Sequence, residues 1–101
     1  MIIYNVTVTV EEEIKEDWLI WMRKEHIPEV MNCGSFIKAQ IKKVVKSDSY
    51  NTFAVAYTCL NMKALHQYQI TCADNLQKKH IDRYGDKAVA FRTIMEIIED
   101  F

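Results

Sequence analysis

His26 has the most to offer chemically, because an imidazole titrates near neutral pH and can give or take a proton. It lies in the stretch Trp18-Leu19-Ile20-Trp21-Met22-Arg23-Lys24-Glu25-His26-Ile27-Pro28-Glu29-Val30, which holds both tryptophans and the only proline. Ile14, Trp18, Trp21 and Met22 recur at helical spacing within one apolar arc. Glu25 falls near the middle of that arc and His26 at its edge. Pro28 disfavours a helical Ile27, which stops the helix at or near His26. Pro28 then opens a short turn through Val30 and Met31, closed by Gly34. A titratable group held at such a corner, with Glu25 and Glu29 to orient or charge it, suits a binding or acid–base site. The competing reading is structural, with the imidazole tying the helix end to a backbone carbonyl.

Aromatic residues supply the rest of the candidate site. Tyr4 and Tyr57 fall on the helix-facing side of two predicted strands, and Tyr68 on the inner stripe of a predicted helix. With Trp18, Trp21 and Glu25 they would line a polar-tipped pocket for a small ligand, with His26 as its acid–base group. The same set read as plain core would bury the rings and leave the hydroxyls at the rim. His66 and His80 read as surface residues. Cys33, Cys59 and Cys72 show no paired spacing, which argues against a disulfide scaffold and a zinc site; Cys59 and Cys72 read as reduced core thiols. No metal site and no cofactor is expected. There is no glycine-rich phosphate loop and no serine nucleophile motif.

The elements that must position these residues follow from periodicity. Residues 1–10 alternate as a strand, with Ile2, Tyr4, Val6, Val8 and Val10 on one face. Glu11, Glu12 and Glu13 suit the first turn of a helix, with Thr9 as N-cap in a capping box with Glu12. Residues 35–46 and 50–59 read as a hairpin about a turn at Ser47-Asp48-Ser49. Asn61 is an N-cap for a helix through about Arg83, whose buried stripe is Leu65, Tyr68, Cys72, Leu76 and Lys79; Gly85 ends it. Residues 88–98 form a last strand, apolar on both faces. Strand, helix, strand, strand, helix, strand is the ferredoxin-like βαββαβ plan: an antiparallel sheet of order 4-1-3-2 with two helices on one face, α+β in class.

The chain's 101 residues suffice for one domain, taken as residues 1–101. A net charge of −1 gives no field favouring nucleic acid or an anionic membrane. The third strand lacks the basic-Gly-aromatic pattern of RNA-binding sheets. No stretch reaches the ~20 apolar residues of a membrane span, and no signal peptide is apparent. With the reduced thiols, that points to the cytoplasm. The open sheet face is expected to carry Ile3, Thr7, Ala54, Ala56, Ala90, Ile94 and Ile98, with Asn5, Arg92 and Glu96 among them. So little charge there predicts a homodimer through that face, with Arg92 and Glu96 as an interfacial polar pair in preference to an anion site.

Three segments carry a family resemblance: Met1-Ile2-Ile3-Tyr4-Asn5-Val6-Thr7, Trp18…Trp21-Met22…His26-Ile27-Pro28-Glu29-Val30, and Phe91-Arg92-Thr93. Over nearly its whole length the chain resembles a bacterial family of ~100-residue proteins known only as a domain of unknown function. The plan is also similar to the dimeric α+β barrel superfamily. That resemblance implies two ferredoxin-like sheets paired face to face, and relatives among haem-degrading and quinol-type monooxygenases and small polyketide cyclases. The Asn, Trp and His constellation of the haem degraders has no counterpart, and Asn5 points away from the helix side. Three readings follow. The first is a dimeric small-ligand-binding domain. The second is a monooxygenase- or cyclase-like enzyme acting on a small aromatic or quinone-like compound. The third is an interaction or regulatory module.

Overall fold

The computed structural model describes residues 1–45 and 51–101. The predicted turn at 47–49 and the adjoining ends of the second and third strands lie outside the described residues. Strand β1 (Ile2–Val10) leads through a 3-10 turn (Glu12–Ile14) into α1 (Lys15–Trp21), a π-helical turn (Met22–His26) and α2 (Ile27–Asn32). Strands β2 (Lys38–Lys43) and β3 (Thr52–Cys59) follow. Then come α3 (Met62–Tyr68), a second π-helical turn (Gln69–Ala73), α4 (Asp74–Tyr84), a 3-10 turn (Gly85–Lys87) and β4 (Ala88–Glu96). The sheet is antiparallel with order β2-β3-β1-β4. This is the expected ferredoxin-like topology.

The two helical arms cover the face of Tyr4, Val8, Phe53, Val55 and Tyr57, all buried with Trp18, Leu65 and Leu76. Asn61 caps α3 as expected, its side-chain oxygen accepting the Ala64 N–H at 2.9 Å. Gly34 and Gly85 follow the two arms at φ 84° and 56°, where a side chain would be strained.

Several local expectations are corrected. Thr9 is no cap. It remains in β1, because the Val10 N–H still bonds to the Asn51 carbonyl, and Glu11 takes the capping position without a side-chain bond. The second strand begins only at Lys38; Phe36 turns inward and is buried. The first helix does not stop at His26, for Ile27 is helical at φ −61° and ψ −45°. A proline in a regular helix clashes with the carbonyl four residues earlier and lacks the N–H that carbonyl needs. Here the π turn widens the helix just ahead of Pro28, and the Ile27 N–H reaches back five residues to Met22.

Each π turn holds one residue more than a regular turn and so rotates all later side chains by about one position. In the first arm this turns Glu25 to solvent and buries His26. In the second it exposes Lys79, buries Ala73 and brings His80 inward, half-buried rather than on the surface.

The last strand is also inverted relative to expectation. Arg92 pairs with Val6 and Ala90 with Val8, so Ala90, Arg92, Ile94 and Glu96 share the helix-side face. Val89, Phe91 and Met95 occupy the open face beside Ile3, Thr7, Ala54 and Ala56, and Arg92 and Glu96 are not a pair there. With both faces of the segment apolar, alternation alone cannot set its phase. Finally, Cys33 and Cys72 form a disulfide between α2's end and the second π turn; only Cys59 is a buried free thiol. With two of the three cysteines bonded to each other, the thiols do not point to the cytoplasm. Among the described residues no helix is long and apolar enough to cross a membrane.

Candidate functional site

A cavity of about 30 Å³, room for one or two waters, lies between the helices and the sheet. Its floor is Tyr4, Val6, Val8, Val55, Tyr57, Ala90 and Arg92, and its roof is Met22, His26, Val30, Tyr68, Gln77 and His80. Arg92 is exposed and Gln77 partly so, which places the mouth toward the β4 edge.

The structure therefore brings four sequence-predicted residues to one space: Tyr4, His26, Tyr57 and Tyr68. Trp18 and Trp21 stand behind the imidazoles rather than in the wall. Trp18 is fully buried and donates its indole N–H to His80 Nε2 at 3.0 Å. Trp21 stacks on His26 with centroids 4.7 Å apart, and Arg83 lies 5.5 Å from the Trp21 ring. Glu25 is exposed, beside a shallow groove with Asp17, Lys24 and Arg83, away from the cavity. Asn5 points to the open face and donates to Thr7 Oγ1 at 3.0 Å.

Nine of the thirteen wall residues escape the sequence reading of the site; Gln77, His80 and Arg92 are the polar ones, and the rest line it as apolar packing. His80 follows Leu76, a residue of the expected buried stripe, by one turn of α4, and that spacing is the signal that could have found it. Arg92 was assigned to the wrong face.

The imidazoles lie 5.9 Å apart by ring centroid. His80 Nε2 accepts a hydrogen bond, so the proton of the neutral ring sits on Nδ1. His26 is 9% exposed, and its Nδ1 is buried without a hydrogen-bond partner. Burial lowers the His26 pKa to about 4, aided by the His80, Lys79 and Arg92 charges and opposed by Glu29. Glu29 itself is engaged by Lys79 at 2.7 Å. Burial, then Arg92, also lowers His80. At the other end Tyr4, Phe36, Tyr57 and Tyr68 pack ring against ring. Burial there pushes Tyr68 up to about 12 and raises Tyr57 as well. Near neutral pH the imidazoles and these two phenols are thus uncharged, and the wall offers hydrogen bonds rather than ions. Neutral at pH 7, His26 is a hydrogen-bonding group and only a weak base, because burial disfavours its protonated form.

Among the described residues no group of three His, Cys, Asp or Glu is placed to hold a metal. Two imidazoles without a carboxylate make an incomplete set.

Residues 1–98 match a family described as a domain of unknown function, DUF4286. The chain belongs to that family. No curated protein sequence matches it. Solved structures share the DUF4286 chain's fold at low identity. One is a dimeric ferredoxin-like protein from an uncultured marine organism, with TM-score 0.76 and 10% identity over 99% of this chain and 96% of the other. Another is HapK from Hahella chejuensis, with TM-score 0.74 and 7% identity over 100% and 96%. A third is a candidate antibiotic biosynthesis monooxygenase from Nitrosomonas europaea, with TM-score 0.72 and 14% identity over 98% and 100%. At these identities the likeness establishes the ferredoxin-like fold, and no activity.

Proposed function

We propose that this protein is a small-molecule-binding subunit that pairs through its open sheet face, its ligand held in the cavity beside His26. The observation that carries the reading is the orphaned His26 Nδ1. A buried polar atom without a partner costs stability, about 1–3 kcal/mol, and a ligand's hydrogen bond would remove that cost. Tyr4, Tyr57 and Tyr68 supply ring faces and hydroxyls opposite it. An aromatic ring exceeds the present cavity, so its binding requires Gln77 and Arg92 at the mouth to swing aside.

Phenol, titrated by NMR, tests this. Shifts centred on His26, Tyr57 and Tyr68, lost in His26→Gln, are expected; no shift at millimolar phenol overturns the reading for aromatic ligands. For pairing, Val89, Phe91 and Met95 are 61%, 63% and 43% exposed on the open face. The dimeric neighbour with the same fold supports a homodimer there. Phe91→Lys is expected to yield monomers in sedimentation, while Ile94→Lys on the opposite face leaves the dimer intact. A wild-type monomer at high micromolar concentration sinks the idea.

A second reading is a monooxygenase- or cyclase-like enzyme on a small aromatic or quinone-like compound. The fold shared with the candidate monooxygenase supports it, while His26, lowered to about 4, would be a weak base at pH 7.

A further inference from the structure

We infer that the cavity selects a compact organic anion, a carboxylate or an enolate, with its negative oxygen at Arg92. This inference rests on the cavity being a ligand site and adds the chemical class of its occupant.

Arg92 is the only charged side chain in the wall, which contains no Asp or Glu to balance it. Nor is it neutralised from outside the wall. Lys15, Lys78, Lys79, Arg83 and Lys87 are paired with Glu12, Asp82, Glu29, Asp17 and Glu13, and among the described residues Arg92 forms no ion pair. A lone exposed arginine is ordinarily just solvated. This one belongs to a cavity whose other polar groups can each donate a hydrogen bond and include no anion.

His80 must carry its proton on Nδ1, since Nε2 accepts from Trp18. His26 Nδ1 is free and can donate when the proton resides there. Gln77 brings an amide N–H₂, which reaches the Tyr4 hydroxyl only at 3.5 Å and remains available. The tyrosine hydroxyls and five guanidinium N–H groups complete the set. A wall rich in donors with one uncompensated cation matches a ligand rich in acceptors with one negative charge. A planar carboxylate can take two parallel bonds from the guanidinium, which a neutral amide of the same shape cannot reproduce. The apolar remainder of the ligand would lie against Val6, Val55 and Tyr57. The small volume favours few atoms.

Two matched pairs test the inference: acetate against acetamide, and benzoate against benzamide, titrated by NMR into wild type, Arg92→Gln, Arg92→Lys and His26→Gln. Arg92 is exposed, so its variants should fold, which unfolding curves check. The expected result is at least tenfold tighter binding of an anion than of its amide. That preference should vanish in Arg92→Gln, survive in part in Arg92→Lys, and weaken at high salt. Amide affinity should not respond to Arg92. If an anion and its amide bind alike, or anion binding ignores Arg92→Gln, selection for charge is overturned while the ligand site stands. If none of the four compounds binds or shifts the cavity residues, both fall. His26→Gln separates the two readings, since it should weaken anion and amide equally.

Discussion

At one end of the cavity Tyr4, Phe36, Tyr57 and Tyr68 each touch at least two of the others, with centroids 4.9–6.2 Å apart. At the other end Trp18, Trp21, His26, His80 and Tyr84 are also in contact, but two specific interactions order them: the Trp18–His80 hydrogen bond and the Trp21–His26 stack. The tyrosine end is redundant, in that losing one ring leaves the others packed. The histidine end is conditional, because His80 Nε2 depends on the Trp18 donor and His26 Nδ1 has no partner. Rigidity from shape and readiness from unmet polarity thus sit on opposite sides of one small space.

The largest expected break in that comparison is Trp18→Ala. It removes a fully buried indole and also strips His80 of its donor, at a cost of roughly 3–5 kcal/mol. Denaturant unfolding measures this; a change under about 1 kcal/mol would show that the indole is not an anchor.

Acid should act next, and on the histidine end alone. His26 has a folded pKa of about 4, below the unfolded value near 6.5. Between those values the unfolded chain binds the extra proton, so stability is full above pH 6.5 and falls as pH drops toward 4, by ~3 kcal/mol at most. His26→Gln should flatten that part of the pH–stability curve. An unchanged slope would mean that His26 is not buried as a neutral ring.

Alkali supplies the weaker, opposite test at the tyrosine end. Tyr68 is raised to about 12, so its contribution is complete below pH 10 and lost as pH rises through about 12. The bound for this one phenol is just under ~3 kcal/mol. Tyr68→Phe should keep the packing and remove that alkaline loss, read as thermal unfolding against pH.

Most of the fold was legible because it rests on period-two and period-3.6 patterns that the packing enforces. Ile2, Tyr4 and Val8 could face only one way, and Asn61 before Ala64 could only begin a helix. The site was legible in part. Tyr4, Tyr57 and Tyr68 precede any irregularity in their elements, so their phase was correct. Glu25 and His26, and Lys79 and His80, lie within or beyond a π turn, which leaves no signature in composition. Counting at 100° per residue therefore puts Glu25 in the middle of the buried arc with His26 at its edge, and Lys79 rather than His80 on the buried stripe. Arg92 is misplaced for a different reason: Val89, Phe91 and Met95 form the more apolar stripe of β4, so alternation turns that stripe toward the core, whereas the structure turns it outward. The disulfide was invisible because Cys33 and Cys72 are 39 positions apart and meet only when the two arms pack.

The position of β1 also sets an order in time. It is the earliest strand in the chain, yet it sits between β3 and β4, with Ile2 opposite Cys59 on one side and Glu96 on the other. Closing the second seam requires nearly the whole chain to be present, and such distant pairings carry a large loop entropy and slow the search. Until β4 arrives, Val6 and Val8 lie on an unpaired edge open to other chains. In pulsed hydrogen exchange the amides of β3 should gain protection before those of β4, and the reverse order would refute this. Ala90 and Arg92 travel with that strand, so the cavity acquires its charged wall in the final step of folding.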